Sequence, residues 1–162
     1  MPTAFCIRER RYLMYQGTEY WVRIRKIIKL YEGMLSQVAR QYKLTSTETD
    51  IMSFLQHNPS KDTAMEIAEY RMLSKGCVSK AVESLIQKGL LERAQDRNDR
   101  RIIHLHMRSE AAPLLESIEQ VQAAYWRQIF SGFSREEIAR YMEYNNRILK
   151  NVQSAEREET DG

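Results

Sequence analysis

The apolar positions of this chain form a succession of helical stripes, interrupted once by an alternating pattern. From residue 20 to 42, Tyr20, Trp21, Ile24, Ile27, Ile28, Tyr31, Met34, Leu35, Val38 and Tyr42 recur at helical spacing, which predicts one long unbroken helix. Residues 1–17 carry no such stripe and read as a basic, irregular arm. A helix that long exceeds what one small core can cover, so part of its stripe is expected to meet another subunit. Thr45 and Glu48 have capping-box spacing for a helix to about His57, with Ile51, Met52 and Leu55 inward and Asn58-Pro59-Ser60 ending it. Thr63 and Glu66 repeat the box for a short helix ending near Tyr70. After Arg71-Met72-Leu73, Ser74 is a good N-cap for a helix whose Val78, Ala81, Val82 and Leu85 make a single stripe. Gly89 stands where the end of that helix favours positive φ.

The alternating pattern follows. Leu90 and Leu91 begin a strand, and Ile103, Leu105 and Met107 alternate with Ile102, His104 and His106 in its partner. Between them lies a turn-prone tip, Asp96-Arg97-Asn98-Asp99-Arg100-Arg101. Helical spacing then returns. Pro113 suits a first turn before Leu114, Leu115, Ile118, Val121, Tyr125, Ile129 and Phe130. Ser134 and Glu137 box a last helix carrying Ile138, Tyr141, Met142, Asn145, Ile148, Leu149 and Val152, with a polar end from Glu156 expected to fray. Two short helices joined by about four residues, then a hairpin, make a winged helix-turn-helix. The fold class is mainly α with a small β-hairpin wing.

Composition adds bounds. A chain of 162 residues with six glycines and three prolines favours helices. The formal charge of +3 does not announce a nucleic-acid binder, but its distribution does more. Between Arg71 and Arg108 nine Lys/Arg face four Asp/Glu, and residues 1–29 hold seven against two. From Ser134 onward the balance reverses to five against seven, as expected of a protein with one DNA-facing side. Two cysteines, Cys6 and Cys77, are too few for a disulfide scaffold. No apolar run approaches the roughly 18 residues of a membrane span, and the basic start precedes no apolar run. A cytoplasmic protein without membrane contact is expected.

Gly-rich phosphate loops, a nucleophile elbow and a His-x-x-x-His pair are all missing from the sequence, so neither an enzyme nor a cofactor is expected. His104 and His106 share a strand face as a metal pair could, but lack completing ligands and read as solvated or DNA-adjacent. The chemistry instead concentrates opposite the Val78–Leu85 stripe. Ser74, Lys75, Gly76, Ser79 and Lys80 are small, polar or basic, suited to phosphates and base edges in a major groove. A plain solvated face is the competing reading. The short helix before it and the wing beside it, with Arg97, Asn98, Asp99, Arg100 and Arg101, favour DNA contact.

These residues carry a resemblance. Leu73-Ser74-Lys75-Gly76-Cys77-Val78-Ser79-Lys80, then Leu85, Lys88-Gly89-Leu90, Glu92-Arg93 and Asp99-Arg100-Arg101, resemble the MarR family of bacterial transcription regulators, across roughly Leu44 to Met107. The family commonly leaves its second wing strand through Leu-Thr-x-x-Gly, where this chain has Met107, Arg108 and Ala111. The resemblance implies that Asp99 holds Arg101 and that Arg101 enters a minor groove. It also implies a homodimer, with residues 1–43 and 109–162 supplying dimerisation helices around a DNA-binding region at 44–108. Trp21, Tyr31, His57, Tyr125 and Trp126 could line a crevice for a small aromatic effector, although aromatics on helix stripes are usually plain core. Some relatives sense peroxide through an N-terminal cysteine near tyrosines. Cys6, with Tyr12 and Tyr15, resembles that arrangement but precedes the expected helix. Cys77, where the family usually has Ser or Thr, reads more simply as a small residue in a tight place than as a redox switch.

The expectation is a homodimeric, sequence-specific double-stranded DNA-binding regulator, a repressor released by a small ligand or oxidant. A two-fold dimer would require a pseudo-palindromic operator with half-sites roughly 10 bp apart. The rival is a winged-helix module that uses the same face to hold a protein.

Overall fold

The computed structural model describes the backbone of residues 7–160 and the side chains of 17–158. Cys6 lies outside the described residues, as do the side chains of Tyr12 and Tyr15. Six helices and one hairpin follow in order: α1 (Ile7–Gln41), α2 (Ser46–His57), α3 (Ala64–Tyr70), α4 (Lys75–Gln87), β1 (Leu91–Gln95), β2 (Ile103–Met107), α5 (Ala112–Ile129) and α6 (Arg135–Thr160). A 3-10 turn at Ser109–Ala111 leads into α5.

The caps set the boundaries. Thr45 accepts from the Glu48 amide while the Glu48 carboxylate takes the Thr45 amide, and Thr63 with Glu66 does the same for α3. The Ser134 hydroxyl accepts from the Glu137 amide at 3.2 Å, and the Glu137 carboxylate takes the Ser134 amide at 2.7 Å. Gly89, at φ +71°, turns the chain out of α4 into β1.

Two boundaries differ from the sequence expectation. Helix α1 begins at Ile7, within the stretch read as an irregular arm. Gly17 sits inside it, because a mid-helix glycine costs only about 1 kcal/mol and does not break a 35-residue helix. Helix α6 continues to Thr160 past the expected fraying point. Glu and Arg are good helix formers, and Arg157 in the last turn suits the negative end of the helix dipole.

The chain divides into two compact units, Met1–Tyr125 and Trp126–Gly162. The core of the first is built by α2 and α4, with Ile51, Met52, Val78 and Leu85 buried, and is closed by Ile67, Leu91, Leu114 and Ile118. Leu35 and Val38 of α1 join it, so the second half of α1 and the first half of α5 share one core with the helix-turn-helix. Tyr42 fastens that junction, donating to the Pro113 carbonyl at 2.8 Å. In the second unit Phe130 is the hub, stacked on Trp126 at 5.6 Å and edge-on to Phe133 and Tyr141 at 5.7 and 5.5 Å. Exposed apolar side chains remain on α1 (Tyr20, Trp21, Val22, Ile27, Ile28) and on α6 (Tyr141, Tyr144, Ile148, Leu149, Val152).

Candidate nucleic-acid interface

The four stripe residues of α4 are 0 to 7% exposed, and they fix which side faces out. Lys75, Gly76, Cys77, Ser79, Lys80 and Glu83 are therefore exposed together. Ser74 caps the helix by accepting the Cys77 amide at 3.2 Å, so its hydroxyl has a structural task before any ligand arrives. The Cys77 thiol is free and exposed.

Ion pairs tie α4 to its surroundings. Arg93 of β1 donates to Glu83 at 3.0 Å, joining the helix to the wing. Arg71, at the C-cap of α3, makes a two-pronged pair with Asp50 of α2. Lys88, at the C-cap of α4, donates to both oxygens of the buried Glu48. Burial alone would raise the Glu48 pKa, but hydrogen bonds from Lys88, Ser84 and the Thr45 amide outweigh it and hold the carboxyl at about 2. The sequence reading recognised Glu48 as a cap and missed its tie to Lys88, forty residues away.

The wing is an antiparallel pair in the register Leu91↔Met107, Arg93↔Leu105 and Gln95↔Ile103. At its tip one Asp96 oxygen accepts the amides of Asn98 and Asp99 at 2.7 and 2.8 Å, an Asx turn. The Asp99 carboxylate then grips Arg101 side-on, through Nε at 3.0 Å and Nη2 at 2.9 Å. These bonds push the Asp99 carboxyl down and the Arg101 guanidinium up from their ordinary values. The Arg101 side chain is nonetheless 90% exposed, a fixed cation with its outer edge free for a ligand. Arg97, Asn98 and Arg100 are exposed beside it.

His104 departs from its expected solvated setting. Its Nδ1 lies 2.6 Å from Asp62 and its Nε2 3.3 Å from Asp96. Asp62 precedes the cap of α3, where its carbonyl accepts the Leu105 amide at 2.8 Å and Thr63 bridges His104. His106 stacks against His104 at 6.4 Å and is exposed. Alternation along one strand showed which face the histidines share, but not that a loop from before α3 covers half of it.

Of the residues suggested for an effector crevice, Tyr31 and Tyr125 meet at 5.1 Å between ring centres. Gln122 donates to the Tyr31 hydroxyl at 3.0 Å and to Ser53 at 2.9 Å, and His57 Nδ1 lies 2.8 Å from the Ser53 carbonyl. Trp21 is not part of this group; it lies edge-on to Tyr20 and is 63% exposed. Gln122 and Ser53 were not foreseen, since polar residues at single helix positions carry no periodic signal. No helix among the described residues is long and apolar enough to cross a membrane.

Residues 42–102 match the model of the MarR family. Solved structures share the fold. A MarR-family regulator from Silicibacter pomeroyi superposes with a TM-score of 0.73 at 18% identity, covering 86% of this chain and 95% of that one. A MarR transcriptional regulator from Methanosarcina mazei Go1 gives 0.69 at 16% identity, covering 85% and 99%. MepR of S. aureus, in a structure of its complex with DNA, gives 0.69 at 19% identity, covering 82% and 96%. The chain thus matches the MarR family model through its winged helix, and it shares its fold with these regulators over more than four-fifths of its length.

Proposed function

We propose that this protein is a homodimeric, sequence-specific double-stranded DNA-binding transcription regulator of the cytoplasm, acting as a repressor rather than as an enzyme. The observation that carries the reading is Arg101, gripped by Asp99 at the tip of the wing and 90% exposed. A guanidinium fixed in this way keeps donors free for a narrow minor groove, at little further loss of side-chain freedom. The exposed face of α4, with Lys75, Gly76, Ser79 and Lys80, is small enough for its backbone to approach base edges in the major groove. Ser74, Arg97, Asn98 and Arg100 complete the set, on phosphates. The likeness to a regulator solved with DNA supports the same reading.

The apolar stripes left exposed on α1 and α6 are the surface on which residues 1–43 and 109–162 would pair with a second copy, leaving 44–108 to the DNA. Such a dimer reads a pseudo-palindrome with half-sites roughly 10 bp apart. A small aromatic effector would act near Tyr31, Tyr125 and His57, favouring a dimer whose helix spacing no longer matches the operator. Trp21 lies apart from that cluster and is left out of it. The test is titration of the purified protein onto its own upstream DNA across salt concentrations. Tight, footprint-limited binding with a steep salt slope supports the regulator. Binding no tighter than to random duplex would sink it and favour a protein-holding module.

A further inference from the structure

One imidazole links the wing tip to the loop before α3, beside the Leu105–Asp62 backbone bond and the Arg93–Glu83 pair that also hold the wing. An unbroken path of hydrogen bonds runs from the wing tip inward. The Asn98 and Asp99 amides meet one oxygen of Asp96, the other Asp96 oxygen meets His104 Nε2, and His104 Nδ1 meets Asp62. Asp62 directly precedes Thr63, the N-cap of α3. An ionised carboxylate only accepts hydrogen bonds, and a neutral imidazole has a single N–H. Both ring contacts are therefore satisfied together only when the ring is an imidazolium. In the neutral ring one nitrogen lone pair would face a carboxylate oxygen. The Asp62 and Asp96 carboxylates would then lie on either side of a ring with no charge to offset them.

The geometry points to His104 as a positioning residue, a clasp that ties the tip of the DNA-reading wing to the loop before α3 only while it is protonated, so that DNA affinity falls as pH rises. This rests on the reading of the wing as a DNA-contacting element. The other titratable groups on the elements meeting here are His106, stacked on the ring; Glu92, opposite His106 across the ladder; Asp99, beyond Asp96; and the Lys61–Glu66 pair at the head of α3. Bonds to Asp62 first and Asp96 second push the His104 pKa up, against a smaller opposing effect of burial. A raised folded-state pKa means that the clasp is fully formed below the ordinary histidine range and is lost as pH climbs through the higher value.

The test needs no DNA at first. Amide hydrogen exchange at Asn98, Asp99 and Arg101, corrected for intrinsic rates, is followed from about pH 6 to about pH 9. The corrected rates should rise several-fold in the native protein and stay flat in His104→Gln, whereas His106→Gln should keep the native profile. Asp62→Asn, which retains the ring, should move the midpoint to lower pH. It also serves as the second variant should His104→Gln fail to fold. A native profile without pH dependence, or one that survives in His104→Gln, would overturn the clasp. Affinity for a duplex selected from a random pool by the protein itself should weaken several-fold over the same range, and only where His104 is present. An exchange titration with unchanged DNA affinity would overturn the coupling. An exchange titration in a protein that binds no duplex would leave the clasp standing and remove the DNA reading alone.

Discussion

The Lys88 ammonium donates to both carboxylate oxygens of Glu48 at 2.8 Å each, joining the far end of α4 to the start of α2 across forty residues of chain. The Glu48 side chain is 2% exposed and that of Lys88 36%. Removing the cation leaves a carboxylate buried with only its cap bonds. Lys88→Ala should therefore cost roughly 2–3 kcal/mol, held to the low side by solvent at the ammonium. The pair also predicts an acid limit. A carboxyl held at about 2 in the fold, against an ordinary 4.5, contributes stability that is complete above the ordinary value and lost as pH falls toward 2. Denaturant midpoints measured against pH should drop over that window, and the drop should be shallower in Glu48→Gln.

Arg101→Ala should weaken DNA binding and reduce the salt slope by about one ion while leaving the oligomer intact. Asp99→Ala keeps the cation but releases it from its side-on grip, so it should lose less affinity than Arg101→Ala with an unchanged salt slope. Titrations at fixed and varied salt read both quantities. Equal affinity for native and Arg101→Ala protein would remove the wing from the DNA contact.

Leu85 is fully buried in the α4 stripe, in contrast to the exposed Ser79 and Lys80. Leu85→Ala should cost about 3 kcal/mol in chemical denaturation, the scale of a cavity that neighbouring helices cannot close. Ser79→Ala should leave stability within about 0.5 kcal/mol while altering which duplexes are bound.

Gly89 has open space where a Cβ would go, yet its φ is +71°. The cost of Gly89→Ala is therefore conformational alone, about 1 kcal/mol. A loss several times larger would mean that the α4–β1 turn is crowded, contrary to the geometry.

Trp21 and Leu149 are 63% and 54% exposed on their helices. If these stripes pair two copies, Trp21→Asp or Leu149→Asp should shift the protein to monomer in sedimentation, with helix content preserved. A native protein already monomeric at micromolar concentration would sink the dimer.

The sequence was most legible where local chemistry decides the outcome. Thr45, Thr63 and Ser134 with their glutamates mark helix starts that two hydrogen bonds each enforce, and Gly89 marks a stop that one dihedral enforces. The Asp99–Arg101 pair was foreseen only through the resemblance, which implies that Asp99 holds Arg101, and the structure forms it. Contacts formed by folding at long range were hidden. Nothing in the spacing connects Glu48 to Lys88, Gln122 to Tyr31, or Asp62 to His104, because each pair is brought together by tertiary packing. The start of α1 was missed for a different reason. Residues 1–17 carry no helical stripe, so periodicity gave no sign of the helix there, whereas the cooperativity of a long helix extends it past that point.

The exposed face of α4 and its buried stripe share a helix but no side-chain role. Lys75, Gly76, Ser79 and Lys80 take no part in the core that Val78, Ala81, Val82 and Leu85 build, and the helix is anchored at its far end by Lys88. Under the proposed DNA reading, substitutions on the outer face would alter what is recognised without eroding the fold that presents it. A lineage carrying this scaffold could acquire a new target by drift through folded intermediates, one outward residue at a time.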